Sequence, residues 1–389
     1  MRIGVDIRGL ITGQRSGIEQ YTLKVLSYLL KTDRSNTYVL FYVAYRDYDG
    51  KFQQIWADNP WLHQPNVEVK KLSWINFPLL LHALWKPLGW PQADKICGGL
   101  DVMWQPSPRL LPVSRRCRTV VTFHDLVFEL FPEFYPWQSR LWQWQMSYPY
   151  LARMADQLIA VSENTKRDLV NIYHVNPDKI TVIYEGVEPN YFQPVDPALV
   201  AALKAKFNIP EDYLYYVGSL EPRKNVVAII RGLSYLKQQG FVNIKLVISG
   251  GKGWLNEAIF AEVEKLNLQG EVIFTGSVTE IEKIAWLQGA RAFVFPTLYE
   301  GFGLPVLEAM AAGCPVITSQ ISSLPEVTGN AALLIDPRNQ TELNLALNKI
   351  LSDQDLIRQL KEQGQKRASQ FTWGATAVQT LTAILHGGK

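Results

Sequence analysis

Short apolar runs alternate with longer amphipathic segments along the whole chain. In the first half, the apolar runs lie at residues 3–7, 38–43, 67–69, 101–104, 119–123, 158–161 and 180–184. In the second half, they lie at 213–217, 246–249, 272–278, 293–295, 315–318 and 332–335. Apolar runs of this length predict buried strands of parallel sheets, and the segments between them predict helices. The pattern therefore predicts an α/β fold built from two successive β/α series.

Prolines mark the passage from the first series to the second. Pro189, Pro194 and Pro197 follow the last strand predicted for the first sheet. Because proline interrupts both helices and central strands, we place a domain boundary in this stretch. The predicted domains are 1–195 and 196–372.

The overall composition narrows the class of protein. With 389 residues, of which 47% are hydrophobic and 19% charged, the chain can bury two ordinary hydrophobic cores. The net charge of +3 comes without a dense stripe of lysine and arginine, so we expect no nucleic-acid partner. This mildly basic balance suits an enzyme that handles phosphorylated substrates.

Cysteine usage and the apolar segments indicate the compartment. Cys97, Cys117 and Cys314 are far apart, which argues against a disulfide framework or a zinc site and for a reducing environment. The N-terminus enters a strand pattern directly, without an apolar signal region. The apolar segment 75–90 is interrupted by prolines and charges and falls short of a membrane span. We therefore expect a cytoplasmic protein.

A glycine-rich turn follows the apolar run 293–295. Gly301 and Gly303 allow the backbone to turn sharply and to approach a ligand closely. Pro305 suits the first position of a helix, which we predict to end at Gly313. The free backbone N–H groups at the start of this helix predict an anion site at the carboxyl edge of the sheet.

Charged residues surround this predicted anion site. Glu300 precedes the helix and Glu308 lies within it, which fits a ligand that carries hydroxyl groups as well as phosphate. Arg223 and Lys224 follow the run 213–217 at another predicted helix start, where the helix dipole makes cations unfavourable. Two cations there indicate an anionic ligand, and the competing interpretation is a solvated surface pair.

Two features of the first half also point to ligand binding. His124 and Asp125 follow the run 119–123, at the end of a predicted strand where α/β proteins place ligands. The competing interpretation is a structural histidine that caps the strand. A glycine-rich loop that includes Gly17 opens a helix at Ile18, which fits a phosphate or sugar pocket or else a surface turn. It lacks the G-x-G-x-x-G spacing of dinucleotide-binding proteins.

Aromatic residues crowd the segment 134–150. Trp137, Trp144 and Tyr148 recur at helical spacing, which is typical of core packing. The competing interpretation is an interfacial surface on which these rings and Arg140 meet lipid headgroups.

The residues from Glu300 to Gly313 read E-G-F-G-L-P-V-L-E-A-M-A-A-G, with seven residues between the two glutamates. This stretch resembles the donor site of the retaining glycosyltransferases of family four, which have the GT-B fold. The resemblance covers nearly the whole chain and is most specific from residue 213 to 330. It implies two Rossmann-like domains that face an interdomain cleft, with a final helix over 373–389 that crosses back to the first domain.

The resemblance assigns roles to the residues already singled out. It implies that Arg223 and Lys224 bind the donor's diphosphate, and that Glu308 accepts hydrogen bonds from the ribose. Glu300 would accept hydrogen bonds from the donor sugar and His124 would assist near the reacting carbon, so these two are the predicted catalytic residues. The further donor-binding residues predicted are Gly17, Ser219, Val278, Phe302, Gly303 and Leu304.

The activity implied is transfer of a hexose from a nucleoside-diphosphate sugar to a glycan or lipid-linked glycan, with retention of the anomeric configuration. Asp125 would orient His124 or contact that acceptor. The two cations and the helix start would neutralise the leaving diphosphate, so we expect no metal ion and no other cofactor. Arg8 and the loop 16–18 resemble those of bacterial mannosyltransferases that build surface polysaccharides, which favours GDP-mannose. A lipid-linked acceptor would bring the enzyme into peripheral contact with the inner face of the membrane.

Other activities are compatible with the same residues. The fold also serves nucleotide-sugar epimerases and phosphorylases, and a protein that binds nucleotide sugars without catalysis is a further alternative. Asp47 and Asp49 form a D-x-D motif, which binds a metal ion in transferases of the other large fold. A metal-dependent transferase that uses these two aspartates is the last alternative.

Overall fold

The chain folds into two compact units. The computed structural model describes residues 1–11, 17–43, 48–72, 85, 88–137, 140, 146–209, 212–251 and 253–386. The first unit comprises Met1–Leu126, Leu141–Gly186 and Trp373–Lys389. The second unit comprises Val127–Arg140 and Val187–Thr372.

This division of the chain differs from the predicted domains in two places. It falls after Gly186, earlier than the predicted boundary, and the segment Val127–Arg140 belongs to the second unit. Within that unit the Trp254 indole N–H donates to the Phe134 carbonyl at 2.6 Å, and the Tyr135 ring stacks on Trp254 with centroids 5.4 Å apart. A short connecting segment has no hydrophobic period of its own, so the sequence pattern could not assign it to a unit.

The first unit is built around a parallel sheet. Its strands are β1 (Arg2–Asp6), β2 (Thr37–Val43), β3 (Val67–Leu72), β4 (Val102–Gln105), β5 (Arg118–Phe123), β6 (Gln157–Ala160) and β7 (Ile180–Val182). They lie in the order β3-β2-β1-β4-β5-β6-β7, and all neighbours run parallel. The order changes direction between β1 and β4, where the carboxyl ends of the strands leave room for ligands.

Helices cover this sheet and close the first unit. The α-helices are Arg8–Ile11, Gly17–Thr32, Tyr48–Asp58, Ala93–Ile96, Tyr148–Met154, Glu163–Tyr173 and Trp373–His386, with 3-10 turns at Pro60–Leu62 and Pro177–Lys179. The last of these α-helices lies in the first unit, as predicted. The Trp373 ring packs edge-on against Tyr21 at 6.2 Å, and the Thr376 hydroxyl donates to the Tyr184 carbonyl at 2.8 Å.

The second unit repeats the arrangement. Its strands are β8 (Tyr213–Val217), β9 (Lys245–Ser249), β10 (Val272–Gly276), β11 (Ala292–Phe295), β12 (Val316–Ser319) and β13 (Leu333–Ile335). They form a parallel sheet in the order β10-β9-β8-β11-β12-β13, which is the strand order of a Rossmann fold. The switch point lies between β8 and β11, where Phe293 pairs with Tyr215.

Most of the second unit's helices pack on the two faces of this sheet. They are Val127–Leu130, Pro197–Lys206, Val226–Gln238, Glu257–Lys265, Glu280–Gly289, Leu304–Ala311, Leu324–Thr328, Gln340–Ser352 and Gln354–Ala368, with 3-10 turns at Pro132–Phe134, Pro189–Phe192 and Pro222–Lys224. The core between them is aromatic. Trp286 lies 1% exposed against Tyr215, and Phe295 stacks on Tyr216 with centroids 5.8 Å apart.

The α/β prediction is confirmed, with small differences at the ends of elements. Every apolar run predicted as a strand coincides with one, but the run 272–278 is a strand only to Gly276. The helix after the glycine-rich turn begins at Leu304 and ends at Ala311, slightly before the predicted Gly313. Gly313 has φ of +70°, so the helix stops before the glycine that the sequence marks.

The predicted aromatic surface is described only in part. Trp144 and its neighbours at 141–145 lie outside the described residues, whereas Trp137 is 69% exposed and Tyr148 is buried. In the parts of the chain listed above, no helix combines the length and the apolar character needed to cross a membrane. Cys97, Cys117 and Cys314 are all buried and unbridged, in agreement with the prediction from their spacing.

Candidate functional site

Two loops meet at the switch point of the second unit. One loop, residues 218–225, follows β8, and the other, residues 296–303, follows β11. The backbone N–H of Leu298 donates to the Arg223 carbonyl at 2.8 Å, and the Thr297 hydroxyl donates to the same carbonyl at 3.1 Å. The chain therefore fixes the two loops against each other before any ligand binds.

Arg223 and Lys224 converge on Glu300. The Lys224 Nζ lies 2.5 Å from Glu300 Oε1, and the Arg223 Nη1 lies 3.1 Å from the same oxygen. The other terminal nitrogen of Arg223 donates to Glu221 Oε1 at 2.7 Å. Since the Lys224 side chain is only 9% exposed and that of Arg223 14%, the interpretation as a solvated surface pair is wrong.

The two cations lie on the 3-10 turn Pro222–Lys224, not in the first turn of an α-helix. Asn225, in the left-handed conformation with φ of 55°, separates this turn from the helix Val226–Gln238. The helix dipole therefore acts on them less directly than predicted, and the carboxylates of Glu221 and Glu300 lie next to them.

Burial and charge oppose each other at Glu300. Burial raises the pKa of the Glu300 carboxyl, but the charges of Arg223 and Lys224 outweigh this and hold the pKa below its usual value. Burial, together with the neighbouring Arg223 charge, lowers the pKa of the Lys224 ammonium, against the opposing effect of Glu300. The cluster thus contains an ionised carboxylate and closely spaced cations in a site that is largely shielded from water.

The turn after Glu300 is held by two serines that the sequence analysis did not single out. The Ser323 hydroxyl donates to the carbonyls of Glu300 at 3.0 Å and of Phe302 at 2.8 Å, and Ser322 Oγ accepts from the Glu300 N–H at 3.1 Å. Gly303 has φ of +104°, and a Cβ there would lie 2.6 Å from Leu324. Only glycine therefore fits this turn without displacing its neighbours.

Ser219 and Val278 follow β8 and β10, the two strands that flank β9 in the sheet of the second unit. The carbonyl of Ser219 accepts from the Tyr216 hydroxyl at 3.1 Å, and the backbone beside it is packed closely, since a Cβ on Gly250 would lie 2.0 Å from the Gly218 carbonyl oxygen. Val278 is half-buried and follows β10, just before the helix Glu280–Gly289. Both occupy the carboxyl edge of the sheet, as their predicted roles in donor binding require.

Glu308 has a partner that was not predicted. Both oxygens of the Glu308 carboxylate accept from the Lys283 ammonium, at 2.9 and 2.8 Å. Lys283 lies in the first turn of the helix Glu280–Gly289, where a cation is unfavourable. Arg223 and Lys224 were predicted as ligand-binding residues because cations are unfavourable at a helix start. The same argument would also have identified Lys283.

The segment Val127–Arg140 contacts the switch-point loop 296–303 and the loop after β9 within the second unit. The Phe131 ring lies 5.8 Å from the ring of Tyr299, which directly precedes Glu300. Trp254, which follows β9, holds the same segment through Phe134.

His124 has partners for both ring nitrogens within the first unit. Its Nε2 lies 2.8 Å from the Pro106 carbonyl oxygen, and its Nδ1 lies 3.3 Å from Glu185 Oε1. Such partners suit a structural histidine as well as an oriented catalytic one, so its contact with the donor stays a prediction. Glu185 was not predicted, and the two roles considered for Asp125 stay predictions.

Two predicted features fall wholly or partly outside the described residues. Gly17 begins the helix Gly17–Thr32, but the loop before it, residues 12–16, is not described. Of the D-x-D motif, Asp47 is not described, and of Asp49 only the backbone, in the helix Tyr48–Asp58, is described.

Two family profiles together match most of the chain. Residues 15–191 match the profile described as "Glycosyltransferase Family 4", and residues 201–367 match "Glycosyl transferases group 1". The O-antigen chain mannosyltransferase B of Escherichia coli is 30% identical over 68% of this chain and 70% of its own length. The serotype-specific mannosyltransferase WbdA of Escherichia coli is 30% identical over 70% of this chain, which spans only 34% of WbdA.

The fold also matches a solved structure. The crystal structure of Anabaena Alr3699/HepE in complex with UDP and glucose superposes with a TM-score of 0.76 and covers 99% of both chains. At 19% sequence identity this likeness concerns the fold alone. It confirms the prediction of a GT-B fold with two Rossmann-like domains.

Proposed function

Because the chain belongs to glycosyltransferase family 4, we propose that it transfers mannose from GDP-mannose to a growing glycan, with retention and without a metal ion. That it is a glycosyltransferase follows from the family. The donor, the acceptor, the stereochemistry and the metal independence are the parts that we propose.

The observation that carries the proposal is the buried cluster of Arg223, Lys224 and Glu300. When the bond from the sugar's C1 to the leaving oxygen breaks, negative charge develops on the diphosphate. The side chains of Arg223 and Lys224 are less than 15% exposed and lie at the switch point, where they can neutralise such a charge. Hydrogen-bond donors and charges that are fixed in advance contribute about 3–4 kcal/mol each to lowering a barrier of this kind. This supports neutralisation of the leaving group by protein residues, without a metal ion.

The same cluster supports a distinct task for Glu300. Its carboxylate stays ionised next to the cations, and the Thr297 hydroxyl oxygen lies 3.1 Å from its Oε1. A diphosphate that binds Lys224 would compete with Glu300 for the ammonium group. Glu300 would then be available to accept hydrogen bonds from the hydroxyl groups of the donor sugar.

For the transfer step we propose a same-face mechanism. The C1–oxygen bond of the donor breaks, a new bond forms between C1 and the acceptor oxygen, and the acceptor's proton passes to the leaving diphosphate. This step needs no general base from the protein. Glu300 would stabilise the positive charge that develops on the sugar ring, and the contact of His124 near the reacting carbon stays a prediction.

The relatives support the choice of donor and acceptor. Both Escherichia coli relatives are named as mannosyltransferases, and one as acting on the O-antigen chain. The UDP and glucose bound in the Anabaena structure concern a protein related in fold alone, so they weigh less. We propose a glycan acceptor, lipid-linked during growth, and a peripheral contact with the membrane to which the exposed Trp137 contributes.

A thermal-shift and transfer panel tests the proposal. The purified protein is heated with GDP-mannose, GDP-glucose, UDP-glucose or ADP-glucose, each with and without EDTA, and hydrolysis of each donor is measured. We expect GDP-mannose to raise the unfolding temperature most and to be hydrolysed slowly, with no effect of EDTA. Stabilisation by UDP-glucose alone would refute the choice of donor, and loss of the response with EDTA would refute the metal-free site.

A further inference from the structure

Glu308 and Lys283 form an ion pair that is almost closed to water. The Lys283 side chain is 13% exposed and that of Glu308 11%, and the ammonium group lies 2.8 and 2.9 Å from the two carboxylate oxygens. The ammonium group also lies 5.2 Å from the centroid of the Tyr191 ring, which is 1% exposed. The pair therefore has a fixed geometry, held by two helices and a buried aromatic ring.

We propose that Lys283 is a positioning residue that fixes the Glu308 carboxylate to receive the ribose hydroxyls of the donor nucleotide. The inference rests on the proposed function, because it takes Glu308 as the ribose contact. It adds Lys283 to the residues of the site and names the class of nucleotide that the site prefers. The site should favour ribose over deoxyribose nucleotides, and Lys283 should account for much of that preference.

The Glu308 carboxylate keeps the capacity for further hydrogen bonds. A carboxylate offers about four lone-pair positions, and Lys283 occupies one on each oxygen. The remaining positions can accept two hydroxyl groups. The ion pair with Lys283 fixes the orientation of the carboxylate, and charge-assisted hydrogen bonds are stronger than those between neutral groups. Without Lys283 the carboxylate would lose both its orientation and its partner.

A purely structural role predicts a different result. If the pair only stabilised the fold, then loss of Lys283 would lower stability and leave the preference for ribose unchanged. The chain offers a matched control in Lys237, whose ammonium group lies 2.6 Å from Glu271 Oε2 with the lysine side chain 18% exposed. Glu271 directly precedes β10, at the amino edge of the sheet, so this pair lies away from the switch point.

The experiment compares GDP with 2′,3′-dideoxy-GDP by calorimetry. We expect the wild-type protein to bind GDP about ten-fold more tightly than 2′,3′-dideoxy-GDP, because only GDP can donate hydrogen bonds from its ribose to a charged acceptor. Lys283→Met should bind GDP about ten-fold more weakly than the wild-type protein and should bind dideoxy-GDP with unchanged affinity. Lys283→Arg should keep most of the preference for GDP over dideoxy-GDP. With GDP-mannose, Lys283→Met should raise KM to a similar extent and leave kcat unchanged. Lys237→Met should match the wild-type protein in both measurements.

A second comparison guards against misfolding. The double variant Lys283→Met/Glu308→Gln removes both charges of the pair and so leaves no unpaired buried charge. It should bind GDP as Glu308→Gln does, because Lys283 acts through Glu308. Further weakening in the double variant would show direct contact with the nucleotide and would overturn the inference. The inference is also overturned if the Lys283→Met protein still transfers mannose and still binds GDP ten-fold more tightly than 2′,3′-dideoxy-GDP. That result would leave the proposed function intact. If the wild-type protein bound neither GDP nor UDP, both would fail together.

Discussion

Lys224 is the residue at which stability and catalysis can be separated most sharply. Lys224→Met keeps most of the side-chain volume and removes the ammonium group that lies 2.5 Å from Glu300. Both side chains are about 90% buried, so the substitution leaves a carboxylate with one partner fewer in a site that water hardly reaches.

The structure sets the size of both effects. Breaking a buried ion pair costs about 3–5 kcal/mol in unfolding free energy. We expect the lower end, about 3 kcal/mol, because Arg223 stays 3.1 Å from Glu300. For a unit of this size that corresponds to a fall in melting temperature of roughly 6–12 °C. Loss of one fixed donor to the leaving diphosphate should lower kcat by about 10²–10³.

The assay pairs chemical denaturation with single-turnover transfer from GDP-mannose. The double variant Lys224→Met/Glu300→Gln removes both charges of the pair, so it should recover most of the lost stability. Its transfer rate should stay low, because the contact of Lys224 with the diphosphate and that of Glu300 with the donor sugar are both missing. Lys237→Met, which removes a lysine from another ion pair of the same unit, should leave kcat unchanged.

Two results would refute this reasoning. A Lys224→Met protein as stable as the wild-type protein would mean that burial does not make this pair costly to break. Recovery of the transfer rate in the double variant would mean that Lys224 does not contact the diphosphate and that the Glu300 carboxylate is not needed for transfer.

Two further predictions concern pH and the glycine-rich turn. Because the folded-state pKa of Glu300 lies below its usual 4.5, the carboxylate contributes stability above that pH and loses it as the pH falls. The wild-type unfolding midpoint should therefore fall more steeply below pH 4.5 than that of Lys224→Met/Glu300→Gln, and parallel slopes would contradict this. Gly303→Ala should cost about 1–3 kcal/mol and raise the donor KM. Gly240→Ala, with φ of +94° and open space around its Cβ, should cost less and leave KM unchanged.

The strands along the chain and the place of the site could be predicted from the sequence because both have local signals. A strand such as β11 is an uninterrupted apolar run, and the glycines after it mark the turn at which a ligand can approach. Two such series predict two sheets, and the carboxyl edge of a parallel sheet is where ligands bind. Glu300, Arg223 and Lys224 were found in this way, and they do lie together.

The partners of these residues could not be read in the same way. Lys283 and Glu308 are 25 residues apart in the sequence and meet only because the fold brings their two helices together. Glu185 meets His124 across 61 residues for the same kind of reason. Pairs of this sort depend on side-chain packing between elements, and hydrophobic periodicity carries no information about it.

The membership of Val127–Arg140 in the second unit has a consequence for protein engineering. The chain passes between the units after Leu126, Arg140, Gly186 and Thr372, so neither unit is a contiguous stretch of polypeptide. In a chimera that exchanges only the carboxyl-terminal half with that of a relative, Trp254 is separated from the segment Val127–Arg140 on which it packs. Transplanting donor preference between enzymes of this family should therefore move Val127–Arg140 together with Val187–Thr372 as one module.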